Sequence, residues 1–176
     1  MSDGTQPALQ PGTVTVEVAP IAPQRLIAPD GLPGDEFGYG IALQGDLVLI
    51  GARKANGTAG RVYEAQRDGG GIWGITQTLN AGADEKPDFW FGESVAVDGN
   101  WAVVGACGGF TKTAPGEAHF FERIAGSWVH RQRVQATAQQ NGDYFGYDVA
   151  VQGDTAFVSG HNHVPPTTYV FQRDGT

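Results

Sequence analysis

The pair Phe-Gly recurs in this sequence at a fixed interval of 54 residues, at Phe37-Gly38, Phe91-Gly92 and Phe145-Gly146. Two further landmarks keep the same interval: a Gly-Asp or Gly-Asn turn, and after it a pair of small residues. Three landmarks that hold one register over three copies indicate a repeat architecture. Each copy is then one supersecondary unit that buries its apolar face against its neighbours.

Each copy has the pattern of four short β-strands. In the first copy an alternating strand leads through the turn Gln44-Gly45-Asp46 into the apolar run Leu47–Ile50. Alternation predicts one buried face, whereas a continuous apolar run predicts a strand buried on both faces, as in a sheet between two other sheets. A third strand begins near Arg61 and a fourth opens on Trp73. We therefore predict an all-β fold in which each copy is a four-stranded antiparallel blade of a β-propeller, with three blades per chain.

The repeat also sets the domain boundaries. We predict an N-terminal arm, partly flexible, over residues 1–23 and a blade region over residues 24–176. The three blade units cover about residues 37–80, 91–136 and 145–173. The segment Gln24–Ala28 matches Gln132–Ala136 in sequence. It is therefore predicted to be an outer strand that completes the last blade, which would remove an exposed strand edge.

Together these motifs resemble FG-GAP repeats, the repeats of integrin α-subunit-type propellers and of many bacterial surface proteins. The resemblance covers about residues 24–176 and implies a propeller fold, but it says little about function, because propellers host unrelated activities. Calcium-binding members carry an acidic loop between the first two strands. Here that connection is a tight turn, which cannot supply the six to eight oxygen ligands that calcium takes. We expect no calcium there, and no cofactor is predicted.

Three blades are fewer than the four to eight of a closed propeller. The two end sheets would each expose an apolar face, and such faces mark interaction sites. We predict a homodimer in which two chains form a six-bladed ring, with each Gln24–Ala28 strand completing a blade at one of the two seams. A larger ring, or a longer propeller of which this chain is a fragment, is also open.

The net charge of the chain limits the classes of partner that it can bind. The formal net charge is −8 with 11 Lys and Arg residues, which argues against nucleic acid and anionic membranes, because binding to phosphates depends on Lys and Arg. No apolar run is long enough to span a membrane, and the polar N-terminus is not a signal peptide. The expected location is the cytoplasm, or the outside of the cell or its surface if a leader has been removed.

The leading functional hypothesis is a non-catalytic recognition, adhesion or scaffold module that binds a protein partner through variable loops. Binding residues concentrate on loops held by a rigid scaffold. The loops after the second strands differ most between copies, at residues 53–59, 107–115 and 161–166. The candidate contact residues are Arg53, Lys54, Phe110, Lys112, His161 and His163.

Three alternatives stay open. A carbohydrate-binding lectin would use the aromatic residues Trp90, Tyr39 and Tyr147. A hydrolase would need a site composed across subunits, because no nucleophile or acid–base set is recognised and no catalytic residue is assigned. The chain could also be an excised or engineered propeller fragment made to study assembly.

One pair of residues is capable of binding a metal. His161 and His163 are two apart, so on an extended segment they face the same side. A metal needs further ligands, and none stands out. An ordinary exposed loop is therefore favoured and no metal site is predicted. Cys107 has no identifiable base and is expected to be a small, half-buried residue.

Overall fold

The computed structural model describes residues 23–109, 115–137, 140–162 and 164–174. These residues contain eleven β-strands and one short 3₁₀ helix, Gly82–Asp84. The first sheet has the order β1 (Phe37–Gln44), β2 (Leu47–Ala52), β3 (Arg61–Arg67), β4 (Trp73–Leu79). The second has the order β5 (Phe91–Asp98), β6 (Trp101–Ala106), β7 (Glu117–Ile124), β8 (Ser127–Val134). The third contains β9 (Phe145–Gln152), β10 (Thr155–Gly160), β11 (Thr167–Gln172).

The sheets are antiparallel throughout, as the sequence predicts for propeller blades. Each opens with a tight hairpin, and Gly45, Gly99 and Gly153 adopt φ angles of 57°, 61° and 56° in these turns. Glycine reaches this left-handed region without a steric penalty, which a two-residue hairpin turn requires. Within the described ranges, no helix is long and apolar enough to cross a membrane.

A hydrophobic core fills the space between each two neighbouring sheets. Phe91 lies in a buried cluster with Leu49 and Val62 of the first sheet and Val104 of the second. Phe145 has the same role between the second and third sheets. Phe91 and Phe145 therefore pack between sheets, whereas Phe37 packs against the first sheet and the segment that precedes it.

Two glycine backbones meet at each seam between sheets. A Cβ on Gly51 would lie 2.0 Å from the carbonyl oxygen of Gly92, and one on Gly105 would lie 1.9 Å from that of Gly146. No side chain fits in this space, so the Phe-Gly pair of one sheet docks on the small-residue pair of the sheet before it. In the third sheet, Ser159 takes the position of these glycines.

The two end sheets each keep one open face. Ile41 and Leu43 of the first sheet are 64% and 66% exposed, whereas the equivalent Val95 is buried against the first sheet. On the third sheet, Phe157 and Val170 are exposed. The sequence predicts that the second strand of each copy is buried on both faces. For β10, the second strand of the third copy, this prediction is wrong, because no described sheet covers its outer face.

The segment Gln24–Ala28 lies against the first sheet. Leu26 packs against Val48 and Ile50, and the side-chain amide of Gln24 hydrogen-bonds the backbone of Trp73. The segment is not paired with the third sheet, whose described part has three strands. Completion of the last blade within one chain is thus not observed, and completion across two chains stays a prediction.

Candidate functional site

The loops that follow the second strands gather at one end of the sheets, named here the loop end. Each is tied to the segment before its own Phe-Gly pair by the same backbone hydrogen bond. The three bonds run from the N–H to the carbonyl oxygen in Lys54→Asp35, Gly108→Phe89 and Asn162→Asp143. The repeat therefore brings the three predicted binding loops to one surface.

Arg53 is sealed at the seam between the first two sheets. Its guanidinium group donates to Glu36 at 2.5 Å and to Glu93 at 2.8 Å. The same group stacks on Tyr39 at 3.5 Å from the ring centroid and lies 4.4 Å from that of Trp90. The prediction that Arg53 is a surface contact is wrong, because the residue is only 7% exposed and its charge is neutralised internally.

The electrostatics of this cluster are asymmetric. Burial raises the pKa of Glu93, although Arg53 opposes the shift. The hydrogen bond from Lys54 lowers the pKa of Glu36, and Arg53 adds to the effect. Lys54 itself stays accessible, with a side chain 37% exposed, and its ammonium group lies 2.5 Å from Glu36. Lys54 is therefore a feasible contact residue at the loop end.

Cys107 takes the place of Arg53 in the second sheet. It is fully buried and packs with Trp90, Tyr144 and Tyr147. The half-buried position expected from the sequence is corrected to full burial. Burial raises the pKa of the thiol to about 12, so the reactive thiolate is not formed near neutral pH.

His161 takes the same place in the third sheet and is exposed. Its imidazole stacks on Tyr147, with ring centroids 4.5 Å apart and planes 20° from parallel. The other predicted contacts, Phe110, Lys112 and His163, lie outside the described residues. In the described part of the chain, no group of three or more His, Cys, Asp or Glu side chains is arranged to hold a metal ion.

A cavity of about 510 Å³ lies along the three inner strands β1, β5 and β9. Tyr39, Glu93 and Tyr147 occupy the same repeat position on these strands and line the cavity. Ser159 and His161 line its side at the third sheet. Trp90, the third aromatic residue proposed for sugar binding, is instead buried between sheets.

Two buried polar networks were not predicted. The Glu64 carboxylate is 1% exposed and accepts hydrogen bonds from the Trp128 indole at 2.6 Å and from Thr76 at 2.6 Å. The Nε atom of Arg123 lies 3.3 Å from the same carboxylate. Glu64 belongs to the first sheet, while Trp128 and Arg123 belong to the second. The 54-residue repeat interval by itself does not indicate which side chains of neighbouring sheets contact each other.

The second network lies within the second sheet. Nε2 of His119 is 3.1 Å from the Glu117 carboxylate, and its Nδ1 is 3.0 Å from Nε2 of His130. Burial, and then the nearby His119, lower the pKa of His130. The equivalent of His119 in the other sheets is Tyr63 or Tyr169. The sequence signal for this network was a histidine, His119, at a repeat position that holds a tyrosine in the other two copies.

The sequence model of the FG-GAP repeat family matches residues 22–64 and 73–121, which make up just over half of the chain. Each matched stretch includes one Phe-Gly pair and the outer segment before it. No curated protein matches the chain.

Proposed function

We propose, from the premise that this chain belongs to the FG-GAP repeat family, that it is a non-catalytic scaffold that binds a protein partner through its loop end. FG-GAP repeats form propeller-type protein-interaction modules, and this family of propellers is typically non-catalytic. What we propose for this chain is that its partner is a protein and that the loop end is the surface that binds it.

One observation carries the choice of surface. Val164 is 87% exposed at the tip of the third-sheet loop, beside Pro165 and Pro166. The stacked pair of Tyr147 and His161 lies at the base of that loop. An apolar side chain on a loop with restricted backbone freedom makes a good interface anchor, because little conformational entropy is lost on binding.

The rest of the loop end suits a polar rim. Lys54 is accessible there, and Asn56 is exposed beside it. Polar groups around a central apolar anchor are the usual arrangement of a protein interface. With a net charge of −8, the chain should associate faster with a basic partner at low salt than at high salt.

Site-specific photo-crosslinking tests this proposal. A photo-reactive amino acid at Val164 is expected to capture one partner protein, identified by mass spectrometry. The matched control is Ile72, which is also apolar and 59% exposed but lies in the β3–β4 connection at the opposite end. The purified partner should then lose affinity for a chain in which Gly and Ser replace residues 161–166. Equal capture from both positions would reject the loop end as the binding surface.

Sugar binding is a second candidate, favoured by the cavity along the inner strands. Tyr39 and Tyr147 line it, and Ser94 and Asp148 add oxygen atoms that can accept hydrogen bonds from sugar hydroxyls. A glycan array tests it. Hits are expected to disappear in Tyr39→Ala and Tyr147→Ala, and an array without hits would remove this candidate.

A second copy of the chain is the proposed cover for the open end faces. Ile41 and Leu43 on one face and Phe157 and Val170 on the other are apolar, which supports head-to-tail pairing. The joint cannot repeat an internal seam, because Ser159 carries a Cβ where Gly51 and its equivalent have none. Light scattering should give twice the 18.6 kDa chain mass, and Ile41→Asp should halve it. A stable monomer would reject the pairing.

A further inference from the structure

The second sheet differs from the first at three repeat positions that lie close together. These positions hold Arg61, Tyr63 and Ile75 in the first sheet and Glu117, His119 and His130 in the second. In the first sheet the Tyr63 hydroxyl donates to Asp30 at 2.7 Å, and Arg61 donates to the same carboxylate at 2.5 Å. These three groups therefore satisfy one another. Two histidines and a glutamate at the same positions give the second sheet a different chemistry.

The Glu117 carboxylate fixes the proton position on the inner imidazole. It lies 3.1 Å from Nε2 of His119, and it accepts a hydrogen bond there when that nitrogen carries the proton. In the neutral ring the proton is then absent from Nδ1, which lies 3.0 Å from Nε2 of His130. A histidine that donates one ring N–H to a carboxylate and offers its other nitrogen is the usual arrangement in a metal site.

The charge around the two histidines favours a cation. Arg133 lies between two carboxylates, 3.2 Å from Glu117 and 3.6 Å from Asp84. Its guanidinium group balances one of these two negative charges, and the other remains close to the histidines. Glu117 and His119 are fully buried, so this charge is screened less by solvent ions than a surface charge would be.

The two histidines are reached from the side of His130. His119 is fully buried and packs edge-on against Phe91, with ring centroids 5.3 Å apart. His130 is half-buried on the outer strand β8, beside the ring of Phe121. An ion can therefore enter past His130, while the packed rings hold the inner imidazole in place. An apolar shell of this kind controls solvent access to a metal site.

We propose that His119 and His130 together bind one divalent transition-metal ion of the Cu²⁺ or Ni²⁺ type, with water at its remaining positions. A metal ion bonded to both nitrogens at about 2.0 Å makes an angle of about 95° between them, because the nitrogens are 3.0 Å apart. This angle is close to the right angle of square-planar and tetragonal sites, which Cu²⁺ and Ni²⁺ prefer. The ion replaces the hydrogen bond between the two rings, and the ring proton of His130 moves to its Nδ1.

The chain has four histidines, and the other two, His161 and His163, are the competing pair. His161 lies on an exposed loop and stacks on the ring of Tyr147, with centroids 4.5 Å apart. In the second sheet, by contrast, a carboxylate and packed aromatic rings already hold the inner imidazole. A preorganised pair loses less conformational entropy on binding, so it should bind the ion more tightly than the loop pair.

Titration calorimetry with Cu²⁺ tests the proposal on the whole chain, with His161→Ala and His163→Ala combined as the background. One ion per chain is expected to bind in this background. His130→Gln should weaken binding by at least about tenfold, because one of the two imidazole ligands is lost. Glu117→Gln should weaken it about tenfold, since it removes the group that orients a ligand. Arg131→Gln, on the same strand and paired elsewhere, is the matched control and should leave binding unchanged.

Electron paramagnetic resonance of the bound Cu²⁺ in the same background adds a measurement that needs no change to the histidine pair. Two nitrogen ligands are expected, and a spectrum without them would overturn the proposal. Unchanged affinity in His130→Gln or Glu117→Gln chains, shown to be folded by circular dichroism, would overturn it too and indicate an adventitious ion only. Loss of binding in the background itself would place the ion on the loop pair. The titration needs no protein partner, so its failure is distinct from failure of the proposed function.

Discussion

The carbonyl oxygen of Gly92 occupies the space that a Cβ of Gly51 would need, at 2.0 Å from its ideal position. Gly51→Ala should therefore force the first two sheets apart and lower the free energy of unfolding by about 3 kcal/mol. Urea denaturation measures the change. Gly74→Ala is the control, since Gly74 lies in β4 with no atom within 4 Å of its ideal Cβ, and it should cost less than about 1 kcal/mol. Equal losses would mean that the seam is not tightly packed.

Arg123 and Arg173 occupy the same repeat position but have different partners. Arg123 faces the buried Glu64, whereas Arg173 pairs with Asp154, which is 53% exposed. Arg123→Met leaves a buried carboxylate without its cation and should cost about 3 kcal/mol. Arg173→Met breaks a surface pair and should cost less than about 1 kcal/mol. Chemical denaturation of the two variants in parallel checks the difference, and a similar cost for both would contradict it.

His130 should make stability depend on pH. Burial and the neighbouring His119 hold its pKa below the ordinary 6.5, while Asp84 and Glu117 raise it and Arg133 lowers it further. Because the folded pKa is depressed, the contribution to stability is complete above 6.5 and is lost as the pH falls through the folded value. Unfolding midpoints measured from pH 7 to pH 5 should fall less steeply in His130→Gln. An unchanged slope would exclude this histidine as the source.

The repeat could be predicted from sequence because its determinants are local. Alternating apolar residues and glycine turns specify strands within a few positions, and Gly45 shows the expected backbone angle. The burial of Arg53 could not be predicted in this way. Its loop position suggests exposure, but Glu93 neutralises it from the next sheet, 40 residues away in the chain.

The contacts made by Gln24 and Gln77 could not be predicted from the sequence for a related reason. Gln132 was recognised only as part of a match to the segment that begins at Gln24. In the structure, Gln24 hydrogen-bonds the backbone of Trp73, and Gln77 hydrogen-bonds that of Trp128. These contacts depend on how the sheets pack. Sequence similarity indicated equivalence, and only the contacts between sheets indicated what the equivalent residues do.

Cys107 should be unreactive in the folded chain. It is fully buried, and its thiol pKa is raised to about 12 by that burial. A thiol reagent at pH 8 should modify it only after denaturant is added. Asn162→Cys in the Cys107→Ser background places the thiol on an exposed residue and should react at once. Rapid modification of native Cys107 would mean that the second seam opens readily.

The glycine contact joins unlike surfaces, and this gives the row of sheets a polarity. A Phe-Gly surface meets a small-residue surface, so identical surfaces cannot meet through it, and the twofold self-complementary pairing common among dimers is not available to this contact. Contacts of this directional kind either close into a circle or continue as a filament. Because Ser159 carries a Cβ where Gly51 and Gly105 have none, the third sheet cannot form this contact with another chain. A glycine there would expose a docking surface on every chain and favour open-ended fibres.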